Sequence, residues 1–174
     1  NMEFETKTIS RQIGDLLYGS NYTVGTAESC TGGRIGEALI AIPGASNYFK
    51  GGIISYTNEV KENLLQVSHE TLEAQTAVCE DVARQMALGA IKALNVDFAV
   101  SVTGVAGPGG GTPDIPVGTI WIACGTKDNI RTLKLENDFG RDINLAIATN
   151  KALRLLLQVV TERLNEDEEN EKNP

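Results

Sequence analysis

The chain has 174 residues, with 15 Lys+Arg against 23 Asp+Glu and a formal charge of −8. That length suits one domain with a sizeable core, and 41% hydrophobic with 22% charged residues is too apolar for a disordered chain. The acidic balance leaves no basic surplus to neutralise phosphates, which excludes a nucleic-acid partner, and no uninterrupted apolar run approaches the roughly 18 residues of a membrane span.

Residues 1–20 carry Glu3, Glu5 and Asp15 and lack the apolar centre of a secretory signal. Cys30, Cys79 and Cys124 are odd in number and widely spaced, so a disulfide framework and a structural zinc site are not expected and a reducing, cytoplasmic setting is. His69 is the sole histidine and lies in a polar stretch, as a helix-start or surface residue would.

In chain order, residues 6–19 place Ile9, Ile13, Leu16 and Leu17 on one helical face, with Gly19 as a stop. Residues 22–28 alternate as a strand and run into Ser29-Cys30-Thr31-Gly32-Gly33, followed by an apolar helix over 34–42 that ends at Pro43-Gly44. Residues 51–56 (GGIISY) predict a short buried strand, and 58–66 a short helix with Asn58 near its cap. Val82, Met86, Ala90 and Leu94 recur four apart and predict a helix over 79–94, entered through Cys79 as a weak cap.

A strand over 97–103 then empties into residues 104–116 (GVAGPGGGTPDIP), which hold five of the 18 glycines. Residues 117–125 and 130–135 predict a hairpin around Lys127-Asp128-Asn129, and a long helix follows over 142–164. Strands separated by helices, plus one hairpin, make an α/β protein: a three-layer α/β/α sandwich with a mixed sheet. One domain is expected over residues 1–164. Residues 165–174 (NEDEENEKNP) carry −4 of the charge without apolar periodicity and predict an acidic, disordered tail.

Two stretches can carry chemistry. Ser29 and Thr31 stand where a strand meets a helix, so backbone N–H groups and the helix dipole there favour an anion. That place suits a bound phosphate, a nucleophilic serine beside an oxyanion hole, or plain N-capping, and spacing leaves all three open. The glycine-rich loop follows the C-terminal end of a strand, where open α/β sheets bind ligands, and its three prolines give it shape. A third candidate is Lys61. A serine nucleophile needs a base, and a desolvated lysine can serve, although a solvated helix position is the commoner fate of any single lysine and is what sequence alone favours.

Taken together, AESCTGGRIGEAL, PGASNYFKGGIISYTNEVKENLL and VTGVAGPGGGTPDIPVGTIWIA resemble the CinA C-terminal domain family over nearly the whole chain, from about Ile9 to Leu164. Characterised members of that family are nicotinamide mononucleotide deamidases of the PncC type, which release nicotinic acid mononucleotide and ammonia. The resemblance implies the stand-alone deamidase module, lacking the N-terminal domain of larger members. It implies Ser29 as nucleophile, Lys61 as general base and Tyr56 as proton relay or substrate guide. Cys30, Thr31, Gly32, Thr103 and Gly104 would line the substrate pocket, with Arg141 meeting the phosphate.

At that last position this chain reads Gly140-Arg141-Asp142, where family members often have the order G-D-R, and it has no second arginine a turn later. Neither metal nor cofactor is implied; the partner is a small nucleotide substrate, and the family's habit implies a homo-oligomer. The competing expectation is a catalytically inactive nucleotide-binding or regulatory module of the same fold.

Overall fold

A computed structural model describes residues 2–173. Helix α1 (Met2–Leu17) turns Ile9, Ile13 and Leu17 inward at four-residue spacing. Strand β1 (Val24–Glu28) is buried along its whole length. After it come α2 (Arg34–Ile40), β2 (Phe49–Ile54), α3 (Asn58–Leu65), α4 (His69–Gln75), α5 (Glu80–Leu94) and β3 (Phe98–Gly104). The hairpin β4 (Ile120–Thr126) and β5 (Asn129–Leu135) leads into α6 (Arg141–Lys172).

The sheet order is β2-β1-β3-β4-β5. Strand β1 runs parallel to both β2 and β3, whereas β4 and β5 are antiparallel to their neighbours, so the sheet is mixed as expected. The C-terminal ends of β1, β2 and β3 therefore open on one edge of the sheet, where an α/β ligand site belongs.

The two faces of the sheet are packed differently. On one, Val24, Phe98, Val100, Val102, Ile120 and Ile122 meet the apolar sides of α1, α2 and α6. On the other, Ala27, Ala99 and Ala123 lie beneath Ala83, Ala87 and Ala90 of α5, and Ser101 Oγ donates to the Ala83 carbonyl at 2.6 Å. Small residues on both sides bring α5 close to the sheet, with α3 and α4 packed against it.

Several boundaries differ from the sequence expectation. Strand β2 starts at Phe49 and stops at Ile54, and its burial alternates because it lies at the sheet edge with one neighbour. Ser55 and Tyr56 follow it in an irregular connection, with Ser55 N–H still donating to the Glu28 carbonyl at 2.7 Å. Thr57, not Asn58, caps α3 by accepting from Val60 N–H. The short helix α4 has no counterpart in the hydrophobic periodicity: it buries only Leu72, and its start is set by Ser68, whose side chain accepts from Thr71 N–H. Cys79 Sγ caps α5, accepting from Val82 N–H at 3.4 Å.

The acidic tail is a correction. Residues 165–172 continue α6 instead of fraying. Glutamate is a good helix former, Arg163 pairs with Asp167 one turn on, and the Tyr22 hydroxyl donates to the Asp167 carboxylate. Among the described residues, α6 is the one helix long and apolar enough to cross a membrane by length and composition. Leu145, Ala148, Ala152, Leu153, Leu156 and Val160 of that helix are buried in the core.

Candidate active site

Strand β1 ends at Glu28, paired in register with Val102 of β3, and Ser29 N–H donates to the Val102 carbonyl at 3.0 Å. Side chains alternate along a strand, so Glu28 and Val102 face α2 while the next pair, Ser29 and Thr103, faces α3 and α5. That alternation separates two jobs. The face towards α2 builds the turn; the face towards α3 carries the reactive groups.

The Glu28 carboxylate is 2% exposed and accepts from the Thr31 hydroxyl (2.8 Å) and from the backbone N–H groups of Gly33 (3.2 Å), Ile35 (3.0 Å) and Gly36 (3.0 Å). The anion at the start of α2 is thus the chain's own side chain, with Gly33 supplying a left-handed φ of 108° at the cap. This corrects the expectation of an open anion site there. Gly32 N–H returns to the Ser29 carbonyl and Arg34 N–H to that of Thr31, so among the described residues only Cys30 and Thr31 of this turn have amides without an acceptor in another residue. Thr31 is fully buried by side chain, and neither it nor Gly32 lines the cleft.

On the other face, Lys61 projects from α3 and is 1% exposed. Its Nζ stands 2.8 Å from Ser29 Oγ, 2.7 Å from the Ser55 carbonyl and 3.1 Å from the Tyr56 carbonyl. Burial lowers the lysine from 10.5 to about 8, with Cys30 acting weakly in the opposite direction. The Cys30 thiol is itself pushed up to about 11, chiefly by burial, so it stays neutral near pH 7 and offers Lys61 no anion. In the neutral amine, two N–H groups satisfy the two carbonyls and the lone pair is left for the Ser29 hydroxyl proton. This arrangement can activate a nucleophile.

Tyr56 enters differently from the expectation. It contributes its carbonyl to Lys61, while the ring is 65% exposed at the mouth of the cleft. The cleft itself holds about 330 Å³, a small-molecule size, and brings together Ser29, Cys30, Tyr56, Lys61, Thr103, Gly104 and Arg141. Arg141, the first residue of α6, donates to the Gly107 carbonyl at 2.7 Å.

The glycine-rich loop forms the far wall and is shaped by contacts. Val105 N–H donates to the Thr119 carbonyl and Gly118 N–H to that of Val105. Asn144 Nδ2 ties the Ala106 carbonyl to α6 at 3.1 Å. A side chain at Gly104 would put Cβ 2.7 Å from Ile120 Cα and 2.8 Å from the Thr119 carbonyl, so the close strand approach needs glycine.

Sequence reasoning missed Glu28 and the wall residues Ala77 and Val78, which precede α5. The signal for Glu28 was available: a carboxylate closing a strand that bears no other charge, shortly before a Thr-Gly-Gly turn. None existed for Ala77 and Val78, which reach the site only through the chain's path from α4 to α5.

Known proteins agree with this architecture. The CinA C-terminal domain family matches residues 6–160. A CinA-like protein of Crocosphaera subtropica is 45% identical over 148 residues, 84% of this chain and 36% of that protein. One from Leptospira borgpetersenii is 48% identical over 123 residues, 71% of this chain and 29% of that protein. The chain therefore spans about a third of the length of such relatives. Among solved structures, the competence/damage inducible protein CihA of Agrobacterium tumefaciens superposes with a TM-score of 0.87 at 37% identity, covering 89% of this chain and 95% of that one. A CinA superfamily protein from Klebsiella pneumoniae gives 0.85 at 30% identity, covering 90% and 98%. With family model, sequence relatives and fold in agreement, the chain belongs to the CinA C-terminal domain family.

Proposed function

We propose that this chain is an amidohydrolase that converts nicotinamide mononucleotide to nicotinic acid mononucleotide and ammonia, with Ser29 as nucleophile and Lys61 as base. The observation that carries the reading is the buried 2.8 Å contact between Lys61 Nζ and Ser29 Oγ, made by a lysine that burial lowers from 10.5 to about 8, within reach of a neutral amine. Neutral Lys61 takes the hydroxyl proton as Ser29 Oγ attacks the carboxamide carbon. The amide of Cys30, which lines the cleft beside Ser29 and has no acceptor in another described residue, supports the tetrahedral oxyanion. Protonated Lys61 returns its proton to the departing nitrogen; the C–N bond breaks, ammonia leaves and an ester to Ser29 remains. Water, activated by the same lysine, then hydrolyses the ester and regenerates the serine hydroxyl.

The decisive experiment measures ammonia release from nicotinamide mononucleotide by the parent chain and by Ser29→Ala. The expected result is turnover by the parent and loss of at least about 10³-fold in the variant, with its thermal unfolding unchanged. Binding without turnover in the parent would instead favour a non-catalytic nucleotide module.

Arg141 is the phosphate contact in this reading. Its guanidinium uses one nitrogen on the Gly107 carbonyl, leaving other N–H groups for a phosphate at the cleft rim. Arg141→Ala should raise KM for the mononucleotide about tenfold or more while altering the dephosphorylated riboside little. An equal effect on both substrates would remove Arg141 from phosphate recognition.

A further inference from the structure

Thr103 lines the cleft with a hydroxyl whose one donor is already used. Its side chain is 1% exposed and lines the cavity, and its hydroxyl proton is committed to the Ala77 carbonyl at 2.9 Å. A hydroxyl has one donor, so with that donor used the oxygen can only accept from a ligand. The strand register adds the position: Thr103 follows Val102 as Ser29 follows Glu28, on adjacent parallel strands, and both side chains face α3 and α5. The acceptor therefore stands on the strand next to the nucleophile, and the Cys30 amide is the donor on the nucleophile's own turn.

We infer that Thr103 is a specificity-determining residue that selects a carboxamide over a carboxylate by accepting a hydrogen bond from the amide nitrogen. The inference rests on the hydrolase reading and deepens it. A primary carboxamide has an oxygen for the Cys30 amide and an N–H for Thr103. Its hydrolysis product has two oxygens and no N–H. One of those oxygens must then face the lone pairs of Thr103, with no proton between them, which weakens the product's hold on the site. In the tetrahedral intermediate the same contact fixes one N–H and turns the nitrogen lone pair towards the protonated Lys61. The Ala77 carbonyl, held in front of α5, is what keeps the hydroxyl pointing the right way.

The test compares binding of nicotinamide mononucleotide and nicotinic acid mononucleotide to the Ser29→Ala chain, alone and combined with Thr103→Val or Thr103→Ser. Calorimetry gives the affinity ratio of amide to acid for each. The expected result is a ratio about tenfold lower with valine, which lacks the acceptor, and a ratio retained with serine, which keeps both the donor and the acceptor. If valine weakens both ligands equally, Thr103 merely holds Ala77 in place and the inference is overturned. Ammonia release by the parent chain is measured in parallel. A shifted ratio with no turnover would sink the hydrolase reading and leave the selectivity standing, while failure of both ligands to bind would overturn both.

Discussion

Replacing Lys61 with methionine is expected to lower ammonia release by about 10³-fold or more, since it removes the group that takes the Ser29 proton. Lys61→Arg should be equally inactive, although it keeps the positive charge, because guanidinium does not give up its proton near neutrality. In the parent, kcat/KM should rise tenfold per pH unit and level off near the lysine's value of about 8. At pH 7 roughly a tenth of the enzyme then carries the neutral amine. A flat profile between pH 6 and 9 would contradict Lys61 as base.

Stability provides a second reading of the same group. The folded state holds this proton less tightly than the unfolded chain, with about 8 against 10.5. Between those values the unfolded chain is the more protonated, so this group makes stability rise with pH; below about 8 its burial penalty is present in full. Denaturation of parent and Lys61→Met at pH 7 and pH 10 should therefore show the difference moving in the parent's favour at the higher pH. A difference independent of pH would mean that the lysine is not desolvated.

Glu28→Ala should cost about 3 kcal/mol or more, the largest loss expected from a single side chain near the site. It strips an acceptor from one hydroxyl and three backbone N–H groups at the start of α2, in a place that is 2% exposed. For a chain of this size the melting temperature should fall by about 6–12 °C. Activity should fall as well, since the carboxylate holds the turn that carries the Cys30 amide. Glu28→Gln keeps one acceptor oxygen but turns an N–H donor towards the amides, so an intermediate loss is expected. Urea unfolding of the three chains measures this series, and an alanine variant within 1 kcal/mol of the parent would show that water replaces the carboxylate without penalty.

Much of the fold is legible in the chain because hydrophobic spacing reports local geometry. The four-residue recurrence of Val82, Met86, Ala90 and Leu94 specifies α5 to within a residue, and the hairpin signal at Lys127-Asp128-Asn129 joins β4 to β5. Boundaries fail where a partner element decides them. Strand β2 stops where its only neighbour stops, and α4 exists because Ser68 caps it and Leu72 finds the core. The acidic end of α6 reads as frayed because its anchor, Tyr22, lies 145 residues away in sequence.

The sequence by itself determined the α/β class, the serine at a strand-to-helix junction, the shaped glycine loop and the family. Each is a local property: period, turn chemistry or motif. Only the tertiary structure decided which of those residues share a site. Lys61 is more plausible in solvent than in a cleft until α3 packs against α5 and drives its amine between Ser29 and two carbonyls. Thr31 and Gly32 sit in the right motif but do not line the cleft: Thr31 donates to Glu28, whose side chain lies on the opposite side of the sheet from that of Ser29. Desolvation and side-chain direction depend on neighbours far along the chain, so no local pattern encodes them.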